Sequence, residues 1–144
     1  MKRTLVVYFH VLISFLLLTL TFAKGQTSAV DYLRYAVEAT ENGDYAGAIA
    51  LCDYSIAIDN SNELVYYHRA FNRFTIGDYT GAIDDATKSI ELNNSIADTY
   101  LLRAQARLKL GERMSAIGDY NRARKLDGSI TFAHFAQNLL NAFF

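Results

Sequence analysis

The side chains able to do chemistry in this chain are sparse and isolated. His68 and His134 stand alone, and no His-Glu-x-x-His, Gly-x-Ser-x-Gly or glycine-rich phosphate loop is present. His68 falls in an apolar-rich stretch, where it reads more simply as a tolerated helix residue than as a ligand. Asp84 and Asp85 are adjacent in sequence. Neighbours on a helix diverge by about 100°, so the two carboxylates do not converge for acid–base work. Cys52 is the only cysteine, which rules out an internal disulfide. It aligns with Ala86 and Tyr120 in the repeats described below, an inward position that favours buried core over a reactive thiol. The sequence therefore points to no catalytic residues, no metal ligands and no cofactor, and enzymatic activity is not expected.

One constellation does recur. Arg69 and Arg103 occupy matching places, and sixteen residues after each comes an acid, Asp85 and Asp119. The two pairs are 34 residues apart, and so is much else: GDYAGAIALCDYSIAID begins at Gly43, GDYTGAIDDATKSIELN at Gly77 and GERMSAIGDYNRARKLD at Gly111. A fixed period of this length marks stacked supersecondary units. The copies span residues 29–62, 63–96 and 97–130, followed by a partial segment over 131–144. In the first copy the charge pair is replaced by Tyr35 and Leu51, so both members turn apolar together. That joint change predicts contact across the two halves of a unit.

Each unit reads as two helices. Tyr66, Ala70 and Phe74 form an i, i+4, i+8 stripe, and Ala82, Ile83, Ala86 and Ile90 resume it after Gly77. Gly43, Gly77 and Gly111 fit the left-handed corner between the halves. Asp44 and Asp78 suit the next N-cap, and Glu112 fills that place less well. Ser28, Ser61, Ser95 and Ser129 precede the first helix of each unit, and Ser28 with Asp31 and Ser95 with Asp98 read as capping boxes. Ala36, Ala70 and Ala104 on first helices, and Ala48, Ala82 and Ala116 on second helices, allow close approach of helix axes. Tyr32, Tyr66 and Tyr100 can each bury a ring while the hydroxyl finds a partner. With no proline and no strand-like alternation, the fold is expected to be all-α.

The ends and the charge bound the setting. Lys2 and Arg3 precede an apolar run over residues 5–22, and Ala23, Lys24 and Gly25 place small residues two apart. This order predicts a signal peptide over residues 1–25, cleaved before Gln26, with an uncleaved anchor as the alternative. The rest of the chain is then exported, periplasmic or secreted. No cysteine stands immediately after the apolar run, where Gly25 and Gln26 fall, so lipid attachment is not expected. Of 14 basic and 15 acidic residues, losing Lys2, Arg3 and Lys24 leaves 11 against 15. Residues 26–96 hold 4 basic and 11 acidic side chains, residues 97–144 hold 7 and 4. An acidic front and mildly basic rear do not suggest nucleic acid.

The Tyr-x-x-Arg-Ala runs at Tyr66 and Tyr100, the Gly-Asp-Tyr-x-Gly-Ala-Ile runs at Gly43 and Gly77, and the period together resemble the tetratricopeptide repeat over residues 29–130. The resemblance implies a right-handed superhelical stack of three helix-turn-helix repeats in a domain over residues 26–144. Two departures stand out: Asn60, Asn94 and Gly128 replace the usual proline after the second helix, and Glu112-Arg113 replaces Asp-Tyr. These are expected to loosen the turns.

The family's first helices usually line a concave surface that receives a peptide or helix from a protein partner. Its lining positions fall on Leu33, Val37 and Thr40, then Tyr67, Phe71 and Phe74, then Leu101, Gln105 and Leu108. A mostly apolar set favours an amphipathic helix or apolar extended segment, although the same side chains could simply fill space against the next unit. One subclass clamps a C-terminal carboxylate with Lys and Asn, and Leu33, Val37, Tyr67 and Phe71 at the matching places disfavour that mode. Residues 131–144 carry Phe132, Phe135, Leu139 and Phe143 on one stripe and read as a capping helix. Their uncharged Ala-Phe-Phe end leaves a homodimer or a membrane-tethered assembly open, the membrane only if the N-terminal segment stays uncleaved.

Overall fold

The computed structural model describes residues 27–131, 133 and 135. The expected signal peptide and most of the expected capping helix lie outside the described residues. Within them the chain forms six helices and no strand: α1 (Ala29–Glu41), α2 (Tyr45–Ile58), α3 (Glu63–Thr75), α4 (Tyr79–Leu92), α5 (Ala97–Lys109) and α6 (Arg113–Leu126). Ala133 and Phe135 are also helical. None of these helices is long and apolar enough to cross a membrane. Each helix packs on the next, and α1 also meets α3 as α3 meets α5. First helices thus gather on one side of the stack, the geometry that makes a solenoid curve.

The three corners inside units close identically. The Gly43 N–H donates to the Thr40 carbonyl at 3.0 Å and the Asp44 N–H to that of Ala39 at 2.9 Å; Gly77 with Asp78, and Gly111 with Glu112, repeat the pattern. Such a corner needs a left-handed residue, and the glycines have φ of 79°, 89° and 78°. Gly77→Ala is expected to cost about 1–2 kcal/mol, read as a lower melting temperature with unchanged helical content. Just beyond, the Gly47 and Gly81 N–H groups donate to Asp44 and Asp78, each at 2.9 Å. A β-carbon on either glycine would collide with that carboxylate, so cap and glycine form a unit. The third copy has neither, since Ser115 takes the glycine's place and Glu112 makes no side-chain cap.

The turns between units depart from expectation. Ser28 and Asp31 do form a capping box. Ser95 does not: the N-cap of α5 is Ile96, with no side-chain bond. Ser95 instead donates its backbone N–H (3.1 Å) and hydroxyl (2.6 Å) to Asn93. Ser61 makes the same pair of bonds to Asp59, and the Ser129 N–H reaches Asp127 at 2.9 Å. The reason is local, because an acceptor two residues upstream captures each serine before the helix can use it. Hydrogen bonds from Ser61 and Ser129 hold the Asp59 and Asp127 carboxyls below the usual carboxylate range. The Tyr66 and Tyr100 hydroxyls donate into these turns, each 3.3 Å from the carbonyl of Asn60 or Asn94. Turns without proline are therefore tied rather than loose. Tyr32 differs, stacking on Tyr54 with ring centroids 5.4 Å apart.

The core is a chain of junctions. Ala36 and Cys52 close on Val65, Ala70 and Ala86 on Leu102, and Ala104, Leu108, Ala116 and Tyr120 on Phe135. Every cluster borrows its last member from the following segment, so no unit is complete alone. The leading face of the stack is different. Where the later units bury Val65 or Thr99 and Asn72 or Ala106, the first unit exposes charge at Asp31 and Glu38. It is a polar end on which no other described residue stacks.

The recurring charges join the two helices of one unit, as their joint replacement in the first copy predicted. Arg69 Nε and Nη2 donate to Asp85 at 2.9 and 2.6 Å, and Arg103 grips Asp119 at 2.9 and 2.7 Å. The third nitrogen reaches back one unit, Arg69 Nη1 to Asp53 at 2.6 Å and Arg103 Nη1 to the Thr87 hydroxyl at 3.1 Å. One turn later Arg73 and Arg107 close on the same acids at 3.0 and 2.6 Å. Burial alone would lower the Arg69 pKa, but its bonds to Asp85 and Asp53 outweigh it and hold the guanidinium above its ordinary range. These side chains bind the stack together, and among their buried polar atoms only Arg107 Nε, 3.7 Å from Glu112, lacks a hydrogen bond within the network.

Candidate functional site

The apolar stripe on first helices is only partly used by the core. On α3, Leu64, Tyr67, Phe71 and Phe74 recur at i, i+3, i+7 and i+10, one face of the helix. Tyr67 and Phe74 are half-buried against the Ala70, Ala86 and Leu102 cluster. The Phe71 ring is 39% exposed. Tyr67 meets the His68 ring edge-on at 5.3 Å, and Phe74 tilts against Tyr79 at 5.5 Å. Leu33 and Val37 continue the surface on α1, both half-buried, Leu33 leaning on the first cluster. Leu101 and Gln105 continue it on α5, half-buried at the mouth of a cavity.

Two of the nine expected lining residues behave differently. Leu108 is only 3% exposed and belongs to the third core cluster, because Tyr120 and Phe135 close over it. It supports the surface from beneath and is not available to a partner. Thr40 is engaged inside the stack. Its hydroxyl lies 2.8 Å from the Ala36 carbonyl and 3.0 Å from Asn72 Oδ1, while Asn72 Nδ2 donates to the His68 carbonyl at 2.8 Å. Asn72, wholly buried, was not singled out in the sequence, because the matching positions, Glu38 and Ala106, share no chemistry with it. Leu64 was legible as the next step back along the Tyr67 and Phe71 stripe.

The lining side chains Leu33, Val37, Tyr67, Phe71, Phe74, Leu101 and Gln105 carry no charge of their own. Burial pushes the Tyr67 hydroxyl pKa up, with the charge of Asp98 adding to it. Burial likewise lowers the His68 pKa, so the ring is neutral at pH 7. Cys52 is buried, and desolvation drives its thiol up to about 12, leaving it protonated and inert. Among the described residues no three His, Cys, Asp or Glu side chains converge as a metal site. What the surface offers is shape, aromatic rings and uncharged lining side chains.

This geometry defines an all-α helical-repeat solenoid, and solved structures give the repeat its name. No protein-family model matches the sequence, and no curated protein does. The second TPR domain of Spaghetti (RPAP3) bound to the HSP90 peptide SRMEEVD is 28% identical, with a TM-score of 0.69 over 70% of this chain and 94% of that one. The second TPR domain of human RPAP3 in complex with the HSP70 peptide SGPTIEEVD is 26% identical, TM-score 0.72, covering 81% and 95%. MamA is 21% identical, TM-score 0.74, covering 87% and 72%. The chain thus has the tetratricopeptide-repeat fold and resembles modules that mediate protein interaction.

Proposed function

We propose that this chain is an exported, non-enzymatic adaptor that holds a peptide or amphipathic helix of another protein against the concave face of α1, α3 and α5. The observation that carries the reading is the Leu64, Tyr67, Phe71 and Phe74 stripe: apolar, partly open, and placed where first helices gather. Binding of HSP90 and HSP70 peptides by the RPAP3 domains supports a protein ligand. Those peptides end in Glu-Glu-Val-Asp, whereas Leu33, Val37, Tyr67 and Phe71 offer no cation to an acidic tail. An apolar ligand class follows. Export rests on Lys2, Arg3, the apolar run and the small residues before Gln26; N-terminal sequencing of exported protein should begin at Gln26.

The partner test compares wild type with Tyr67→Ala, Phe71→Ala, Phe74→Ala and with Phe71→Glu alone, which alters only an exposed ring. Both variants are expected to lose recovered partners, Phe71→Glu by about 30-fold in affinity if Phe71 is an interface hot spot. Unchanged partners with folded variants refute the groove. Self-association is the competing reading, and light scattering that finds a concentration-independent monomer removes it.

A further inference from the structure

The apolar surface is not uniform along the stack. Between α5 and the chain leaving α6 it deepens into a cavity of 200 Å³. Leu101, Tyr120, Ile130 and Phe135 form its apolar walls, Gln105 and Thr131 contribute polar side chains, and among the described residues none that lines it is charged. An apolar protein cavity of about 150 Å³ is large enough to hold benzene. One of 200 Å³ therefore accepts an aromatic ring or a branched aliphatic group at the end of a side chain.

Gln105 sharpens the assignment. It is half-buried at the cavity, yet among the described residues its amide makes no hydrogen bond. Thr40 and Asn72, also on first helices, satisfy each other. A carboxamide donates and accepts together, which matches the N–H and C=O groups flanking an inserted side chain on a bound polypeptide. A carboxylate entering the same cavity would be desolvated with no cation to meet it. Both the volume and the missing charge thus select one occupant.

We infer that this cavity is the anchor pocket of the concave face: it takes a single bulky uncharged side chain (Leu, Ile, Met or Phe) from the partner's bound segment, while Gln105 hydrogen-bonds the adjoining backbone. The inference rests on the adaptor reading and adds to it a chemical requirement on the partner. Peptides selected from a random displayed library against the full chain provide the probe. They are then titrated against wild type, Leu101→Trp and Ile130→Trp, which fill the cavity from opposite walls, Gln105→Leu, and Phe71→Glu, with circular dichroism checking each fold.

The selected peptides are expected to share one Leu, Ile, Met or Phe whose replacement by Ala weakens binding about 30-fold. Both tryptophan variants should weaken the parent peptides to a similar extent and leave the Ala-replaced peptides unaffected. Gln105→Leu should cost about 10-fold, as expected for one lost hydrogen bond. Peptides that lose binding with Phe71→Glu but ignore both tryptophans overturn the anchor pocket and keep the groove. Loss with only one tryptophan also overturns the pocket. Peptides indifferent to every variant, or a library without binders, overturn both readings.

Discussion

Asp85→Leu is expected to be strongly destabilising, by about 3 kcal/mol, the lower end of what breaking a buried ion pair costs. Asp85 is 3% exposed and holds two guanidiniums. Its loss strands Arg69 and Arg73 beside an apolar group. The effect stays at the lower end because Arg69 keeps Asp53 and Arg73 lies 3.7 Å from Asp78. For a chain of this size such a loss lowers the melting temperature by upwards of about 10 °C. The informative variant is the triple Arg69→Tyr, Arg73→Ala, Asp85→Leu. It installs what the first unit already uses at Tyr35, Ala39 and Leu51. The triple variant should recover most of the stability, since an apolar set of matching volume can replace a buried charge network at little net cost. A triple variant no better than the single one would show that the network cannot be exchanged as a block.

Phe135→Ala is expected to cost about 3–5 kcal/mol, the range for emptying a buried aromatic site. Phe135 is 3% exposed and stacks on Tyr120 with centroids 4.4 Å apart and planes 16° from parallel. It completes the third junction as Val65 and Leu102 complete the first two. In a stack with only nearest-neighbour support the damage should stay local. Amide exchange in α5 and α6 should accelerate well before that in α1 and α2. Phe135→Leu should restore most of the protection. Uniform acceleration along the chain would mean that the units melt as one body instead.

The period, the paired helices and their glycine corners were legible because each follows from a rule that acts within a few residues. The contact of Arg69 with Asp85 was legible for a different reason: three internal copies vary independently, and Tyr35 and Leu51 change together. Ser95 was misread because a capping box and an Asx turn compete for the same hydroxyl, and only the position of Asn93 decides between them. The Asn72 bond to Thr40 joins residues 32 positions apart with no repeated counterpart, so nothing in the pattern announces it. Leu108 and Leu101 look equivalent in sequence. What separates them is depth, Leu108 lying inside the third cluster and Leu101 only against its edge, a tertiary fact that helical spacing does not encode.

The contrast between the two faces of each unit gives this array a grammar of succession. A duplicate of residues 63–96 inserted after residue 96 would offer Val65 to the alanines Ala70 and Ala86, an apolar seat of the kind already used. The same duplicate placed ahead of residue 29 would press Ala70 and Ala86 onto Asp31 and Glu38 and desolvate both carboxylates, of which only Asp31 has a cation beside it, Arg34 at 3.2 Å. Lengthening is thus permitted between units and blocked at the front, so the first helix acts as a full stop written in charge.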